Sequence, residues 1–193
     1  MSRTKEFDVD SALERAMDLF WDLGYEATSP QELLDHMGIG RQSLYDTFGD
    51  KHRLYLAALD RYSDTVSLDL LGDLAHPDAS VEALRRFFGK LVKGLVSDKD
   101  RRACFLLNST TEMATHDPEV ARRVRAHILR LEAVFLNAIR NAMAREEVVG
   151  VKDAAALARH LTATMQGLAV MAKAGVSPVY LRDAASSALS FLA

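Results

Sequence analysis

The chain reads as all-α: an N-terminal three-helix helix-turn-helix domain followed by a C-terminal helical bundle domain, about nine helices in all. Three observations predict this. Apolar residues recur at three- and four-residue spacing through most of the chain, the period of one helix face. All four prolines follow a polar residue and open such a run (Ser29-Pro30, His76-Pro77, Asp117-Pro118 and Ser177-Pro178). Proline at the first helical position gives up only an N–H that has no intrahelical partner, and Ser or Asp before it can cap the turn. No alternating β-branched run and no Asn-Gly or Asp-Gly pair signals a strand or a hairpin.

Each element has its own signal. Residues 10–23 carry Leu13, Ala16, Met17, Phe20 and Leu23 on one face, and Gly24 is a natural stop. Two short helices follow over 30–37 and 41–48, the first opened by a capping box between Ser29 and Glu32. A long helix is expected over 51–74, then helices over 80–96, 103–114, 118–146, 152–174 and 178–192. Residues 1–50 thus form the first domain, 51–74 the linking helix, and 75–193 the second domain.

Composition narrows the class. At 193 residues, 49% hydrophobic and 26% charged, the chain can bury a sizeable core and is not disordered. Its most apolar segment, 161–176, is interrupted by Thr162, Thr164, Gln166 and Lys173 and is too short to span a bilayer. The first six residues lack the apolar run of a signal peptide. The one cysteine, Cys104, has no partner in the chain for a disulfide. A cytoplasmic protein without membrane contact is expected.

Charge raises an obstacle. The net charge is −3, and the first 53 residues hold six basic side chains (Arg3, Lys5, Arg15, Arg41, Lys51, Arg53) against eleven acidic ones (Glu6, Asp8, Asp10, Glu14, Asp18, Asp22, Glu26, Glu32, Asp35, Asp46, Asp50). DNA affinity rests largely on phosphate neutralisation, so a DNA-binding reading requires the acids to be turned away from the cations. Asp10, Glu14, Asp18 and Asp22 recur every four residues, on one broad face away from the first helix's apolar stripe.

The short helix pair is the informative feature. Two short helices joined by the turn Gly38-Ile39-Gly40 make the helix-turn-helix pattern. Leu33, Met37, Ile39, Leu44 and Phe48 would form the small core that fixes the crossing angle. Arg41, Gln42, Ser43, Tyr45 and Thr47 are left pointing outward. In that geometry the start of the second helix enters the major groove, where Arg suits guanine and Gln suits adenine.

The run Phe20-Trp21-Asp22-Leu23-Gly24-Tyr25-Glu26-Ala27-Thr28-Ser29, followed by Gly38-Ile39-Gly40-Arg41-Gln42-Ser43-Leu44-Tyr45-Asp46-Thr47-Phe48-Gly49-Asp50-Lys51, resembles the N-terminal domain of the tetracycline-repressor (TetR) family. The match covers about residues 6–66, with Gly24, Thr28, Gly38, Tyr45, Phe48 and Lys51 in register. The resemblance implies a double-stranded DNA operator as partner, with Thr28, Tyr45 and Lys51 on phosphates and Arg41, Gln42 and Ser43 near bases. Ser29 and Thr47 complete the expected DNA-binding set. Two positions depart from the family pattern. Gly40 stands where a serine often caps the recognition helix. Asp46 stands where an aromatic or basic residue is usual, and its carboxylate would repel phosphate unless it accepts from a cytosine amino group. Few phosphate contacts predict modest affinity, high selectivity and a shallow salt dependence.

The second domain carries weaker signals. Cys104-Phe105-Leu106-Leu107-Asn108, with His116-Asp117-Pro118-Glu119-Val120 after it, is similar to one subgroup of the family's C-terminal domains. Residues 80–174 mix polar with apolar side chains, which describes a small-molecule pocket and equally a helical core with satisfied hydroxyls. The resemblance favours a pocket for a mainly hydrophobic effector, lined by Phe87, Phe88, Cys104, Phe105, Asn108, Thr111, Met113, Met165 and Gln166. Cys104 lies after Arg101 and Arg102 near a helix start, the setting of a reactive thiol; an inert, half-buried hydrophobe is the other reading. The last two helices can finish the core or pair with a second copy. The resemblance implies a homodimer through Leu168, Met171, Leu181, Ala184, Ala185, Ala188 and Leu189, and hence a roughly palindromic operator.

No enzyme, metal or cofactor is expected. The six histidines are scattered, no HExxH or second cysteine supplies a metal site, and no glycine-rich phosphate loop is present. The leading reading is a repressor released from its operator by a ligand. The rival, suggested by the local acidity, is a helical ligand- or protein-binding module that has lost DNA binding.

Overall fold

A computed structural model describes residues 7–99, 101–148, 150 and 152–192, the side chain of Phe191 excepted. Among these the chain forms α1 (Val9–Leu23), α2 (Pro30–Met37), α3 (Arg41–Phe48), α4 (Lys51–Asp64), α5 (Val66–Leu71), α6 (Val81–Ser97), α7 (Phe105–Glu112), α8 (Pro118–Ala144), α9 (Ala154–Lys173) and α10 (Pro178–Ala188), with 3-10 turns at Gly72–Ala75 and Ser190–Leu192 and no strand. The side chains of Asp8, Ser29, Asp50, Asp117, Asp153 and Ser177 each accept a first-turn N–H, so most helix starts are fixed by the residue just before them.

Three local differences from the sequence reading have physical causes. The expected helix over 51–74 breaks at Thr65, whose hydroxyl donates to the Arg61 carbonyl at 2.7 Å and whose backbone (φ −116, ψ −80) leaves the helical path. Pro77 opens no helix. It sits in a turn pinned to α8, where Asn137 and Asn141 donate to the Pro77 carbonyl at 3.1 and 2.7 Å. The helix expected over 103–114 shortens to α7, because Arg101 and Ala103 hold positive φ angles of 53 and 55.

Two apolar cores result. The first joins Ala16, Phe20, Leu33, Met37, Leu44, Tyr55 and Leu59 to Phe105, Leu106, Met113, Val120 and Val124. The second joins α6, the later part of α8, α9 and α10 around Phe87, Phe88, Phe135, Leu161 and Leu181. Thus α7 and the start of α8 belong to the core that carries the helix-turn-helix. Leu23, expected on the buried face of α1, is instead 47% exposed, and Ala12 takes a buried place on that helix.

Candidate nucleic-acid interface

The α2–α3 unit is set by its turn. Gly38 adopts a left-handed conformation (φ 68, ψ 34), which glycine enters without a Cβ penalty, and its N–H donates to the Leu34 carbonyl. Leu33, Met37 and Leu44 are buried beneath, with Ile39 and Phe48 partly buried against them. On the opposite side Arg41, Gln42, Tyr45 and Asp46 are exposed, and Ser43 and Thr47 are half-buried. Gly40 gives α3 no side-chain cap, so its first N–H groups stay open to an incoming acceptor such as a phosphate oxygen.

Asp46 has a neighbour that the sequence reading did not assign. Gln42 donates from Nε2 to Asp46 Oδ1 at 2.8 Å, one helical turn apart. The carboxylate therefore orients the Gln42 amide on the outward face and is itself partly satisfied. At the start of α4, Lys51 lies with Nζ 4.2 Å from the centre of the Tyr25 ring, a cation–π contact that holds the ammonium at the end of α3.

Thr28 is placed differently from expectation. Its side chain is fully buried and its hydroxyl donates to the Gly24 carbonyl at 2.5 Å, closing the end of α1, so the hydroxyl does not face a phosphate. Ser29 is occupied by the capping box: its Oγ accepts from Glu32 N–H and its own N–H donates to the Glu32 carboxylate. That exchange holds the Glu32 carboxyl below its ordinary value, the Ser29 hydroxyl contributing most.

The acids of α1 are paired with arginines from outside the helix-turn-helix. Arg61 of α4 lies 3.4 Å from Asp10 and 4.0 Å from Glu14. Arg102 lies 3.4 Å from both Asp18 and Asp22, with its guanidinium 4.3 Å above the Trp21 ring. Both arginines lie beyond residue 53. The four-residue acidic stripe of α1 is therefore paired at the surface with Arg61 of α4 and with Arg102, just before α7. Asp8 and Asp50 are helix caps.

The nine residues expected to line one pocket do not do so. Phe87 and Phe88 pack edge to face with each other and against Phe135 inside the second core. Phe105 and Met113 belong to the first core, through rings such as Tyr55 and Tyr62. Asn108 is tied to the Arg102 carbonyl and to Lys173, and Thr111 is exposed. Only Cys104, Met165 and Gln166 of that set share a cavity, between α7, α8 and α9, with Leu106, Leu107, Thr110, Val124, His127, Ile128, Leu131 and Ala169. His127 was missed. It is 4% exposed, its Nδ1 has no hydrogen-bond partner among the described residues, and burial pushes its pKa down to about 4. Its signal was in the sequence: it is the polar member of the stripe Val120, Val124, His127, Leu131, Phe135.

At Cys104 burial pushes the thiol up, and the neighbouring Arg102 guanidinium is engaged by Asp18, Asp22 and Trp21, which favours the inert, half-buried reading over the reactive one. The residues expected at a dimer interface are mostly interior: Leu168, Leu181, Ala185, Ala188 and Leu189 are buried in the chain's own second core, and Ala184 packs partly buried against it. Met171 is 38% exposed, and Val170 of α9 and Val179 and Tyr180 of α10 are exposed as well.

Comparison with known proteins matches both parts of the chain. Residues 12–58 fit the model of bacterial regulatory proteins of the tetR family, and residues 80–188 fit the tetracyclin repressor-like C-terminal domain. The chain is 38% identical over 193 residues to the uncharacterized HTH-type transcriptional regulator YezE of Bacillus subtilis, covering 100% of each. It is 32% identical over 188 residues to the HTH-type transcriptional repressor ComR of Escherichia coli, covering 97% of this chain and 90% of that one. Among solved structures, a cysteine mutant of the regulator CifR complexed with 26-bp operator DNA superposes with a TM-score of 0.82 at 30% identity, over 97% of this chain and 98% of that one.

Proposed function

The chain belongs to the tetR family of bacterial regulatory proteins, and from that premise we propose that it is a dimeric repressor, held on a roughly palindromic operator and released by a small, mainly hydrophobic ligand. That it is a DNA-binding transcriptional regulator follows from the family. The observation that carries the DNA-binding part of this reading is the outward row of Arg41, Gln42, Tyr45 and Asp46 on α3, backed by a closed core, while Arg61 and Arg102 pair the acids of α1. The pairing of those acids also supports this reading over a module that has lost DNA binding.

Support for the finer points is of several kinds. ComR, named a repressor, supports repression over activation. The exposed Val170, Met171, Val179 and Tyr180 support a second copy on α9 and α10, in place of the buried residues first expected there. No helix among the described residues is long and apolar enough to cross a membrane, which agrees with action at DNA in the cytoplasm.

Footprinting of the DNA upstream of the protein's own gene tests the reading: a protected palindrome is expected. Arg41→Ala should then cost about 1–3 kcal/mol and relax one base position, whereas Lys51→Ala should weaken all sequences alike. No protected site, or equal losses on all sequences for both variants, would sink it.

A further inference from the structure

We propose that the cavity between α7, α8 and α9 is the effector seat, and that it takes an uncharged, largely hydrocarbon molecule carrying one hydroxyl, held by His127. This deepens the ligand-release reading above and rests on it. Buried polar atoms nearly always find a protein or water partner, yet His127 Nδ1 has none among the described residues. The imidazole forms part of the cavity wall with Cys104, Leu107, Thr110, Met165 and Gln166. No charged side chain is among the described lining residues, so an ionised guest would be desolvated without a counter-charge. A neutral imidazole nitrogen either accepts or donates according to tautomer, and a hydroxyl serves both cases. Thr110 donates its own proton to the Leu106 carbonyl at 2.9 Å, which leaves its oxygen free to accept from the same hydroxyl.

Size connects binding to movement. The interior is about 20 Å³, room for a water-sized molecule. A larger guest enters only by parting α7 from α8 and α9. Of these, α7 is the one whose flanking residues Arg102 and Ala103 grip α1.

Benzyl alcohol, toluene, benzoate and benzylammonium share a ring and differ in one group. Each is titrated calorimetrically into the full chain without DNA. Benzyl alcohol should bind at least about tenfold more tightly than either ion, and His127→Leu should bring it down to the level of toluene, while His127→Gln keeps most of its affinity. Leucine continues the apolar stripe of α8, and helicity and melting confirm that the variant folds. A crystal soaked in benzyl alcohol gives a readout that needs no variant: its hydroxyl should lie within hydrogen-bond distance of Nδ1. Equal binding of benzoate, unchanged affinity in His127→Leu, a hydroxyl bound elsewhere, or no saturable binding of any probe would overturn the proposal, the last meaning that the cavity holds water only. A bound probe that leaves operator affinity unchanged would remove the effector role. A missing footprint would instead sink the repressor reading and leave the binding result standing.

Discussion

At the scale of single residues, His127 has a consequence for stability that needs no ligand. Burial, with Arg130 adding to it, lowers its pKa from 6.5 to about 4 in the folded chain. The unfolded chain takes up this proton near pH 6.5 and the folded chain only near 4. Stability that is fully present above pH 6.5 is therefore lost as pH falls towards 4, on the order of 3 kcal/mol in all. His127→Leu has no proton to take up, so its stability should fall less across that window, as read from urea melts at pH 7, 5.5 and 4. Parallel losses in the two proteins would show that His127 is not the group responsible. The residue was legible as a polar break in an apolar stripe, but its lack of a partner depends on what α7 and α9 bring against it. Thr28 shows the same limit from the other side: the sequence gives a polar residue at the mouth of a helix-turn-helix, and only packing decides that its hydroxyl turns back to Gly24. The pairings of Asp18 and Asp22 with Arg102 span 84 and 80 residues and had no local signal.

At the scale of elements, α2 and α3 match their sequence bounds because local chemistry sets them: a capping box at one end and a left-handed glycine between them. The break at Thr65 and the turn at Pro77 depend on competing bonds that spacing does not reveal. The element that links the two cores is α7. Its leading segment grips α1 through Arg102 and through the Ala103 carbonyl, which accepts from Trp21 Nε1 at 3.1 Å. Its last residue, Glu112, accepts from Glu26 N–H at 2.9 Å, and Tyr55 donates to Ser109 at 2.7 Å in its middle. A guest that moves α7 therefore pulls on the last turns of α1 and, through Glu26, on the α1–α2 connection. Couplings of this kind are worth about 1–3 kcal/mol, and residues along them change that by about 0.5–2 kcal/mol. Arg102→Ala should leave benzyl alcohol binding intact and reduce the ratio of operator affinities measured without and with the probe. An unchanged ratio would place the coupling outside the Arg102 grip.

At the scale of the whole molecule, the question is how a chain with more acids than bases in its first 53 residues holds a polyanion. Caps and surface ion pairs engage six of the eleven acids: Asp8 and Asp50 as caps, and Asp10, Glu14, Asp18 and Asp22 with arginines. Arg41 is expected on a base, which leaves Lys51 and Arg53 as the described cations at the start of α4, with Arg15 on α1. Two copies joined through the exposed α9–α10 surface would bring about four such cations to one operator, which sets a slope of log affinity against log salt of about −4. Val170→Asp places a charge on that surface, should leave the chain monomeric in sedimentation, and should roughly halve the slope along with the protected length of DNA. Arg3 and Lys5 lie outside the described residues, and their participation in both copies would steepen the slope to about −7. A slope that steep, with little preference among sequences, would mean that charge and not the Gln42–Asp46 pair governs binding, and the picture of a selective reader lean in phosphate contacts would be wrong.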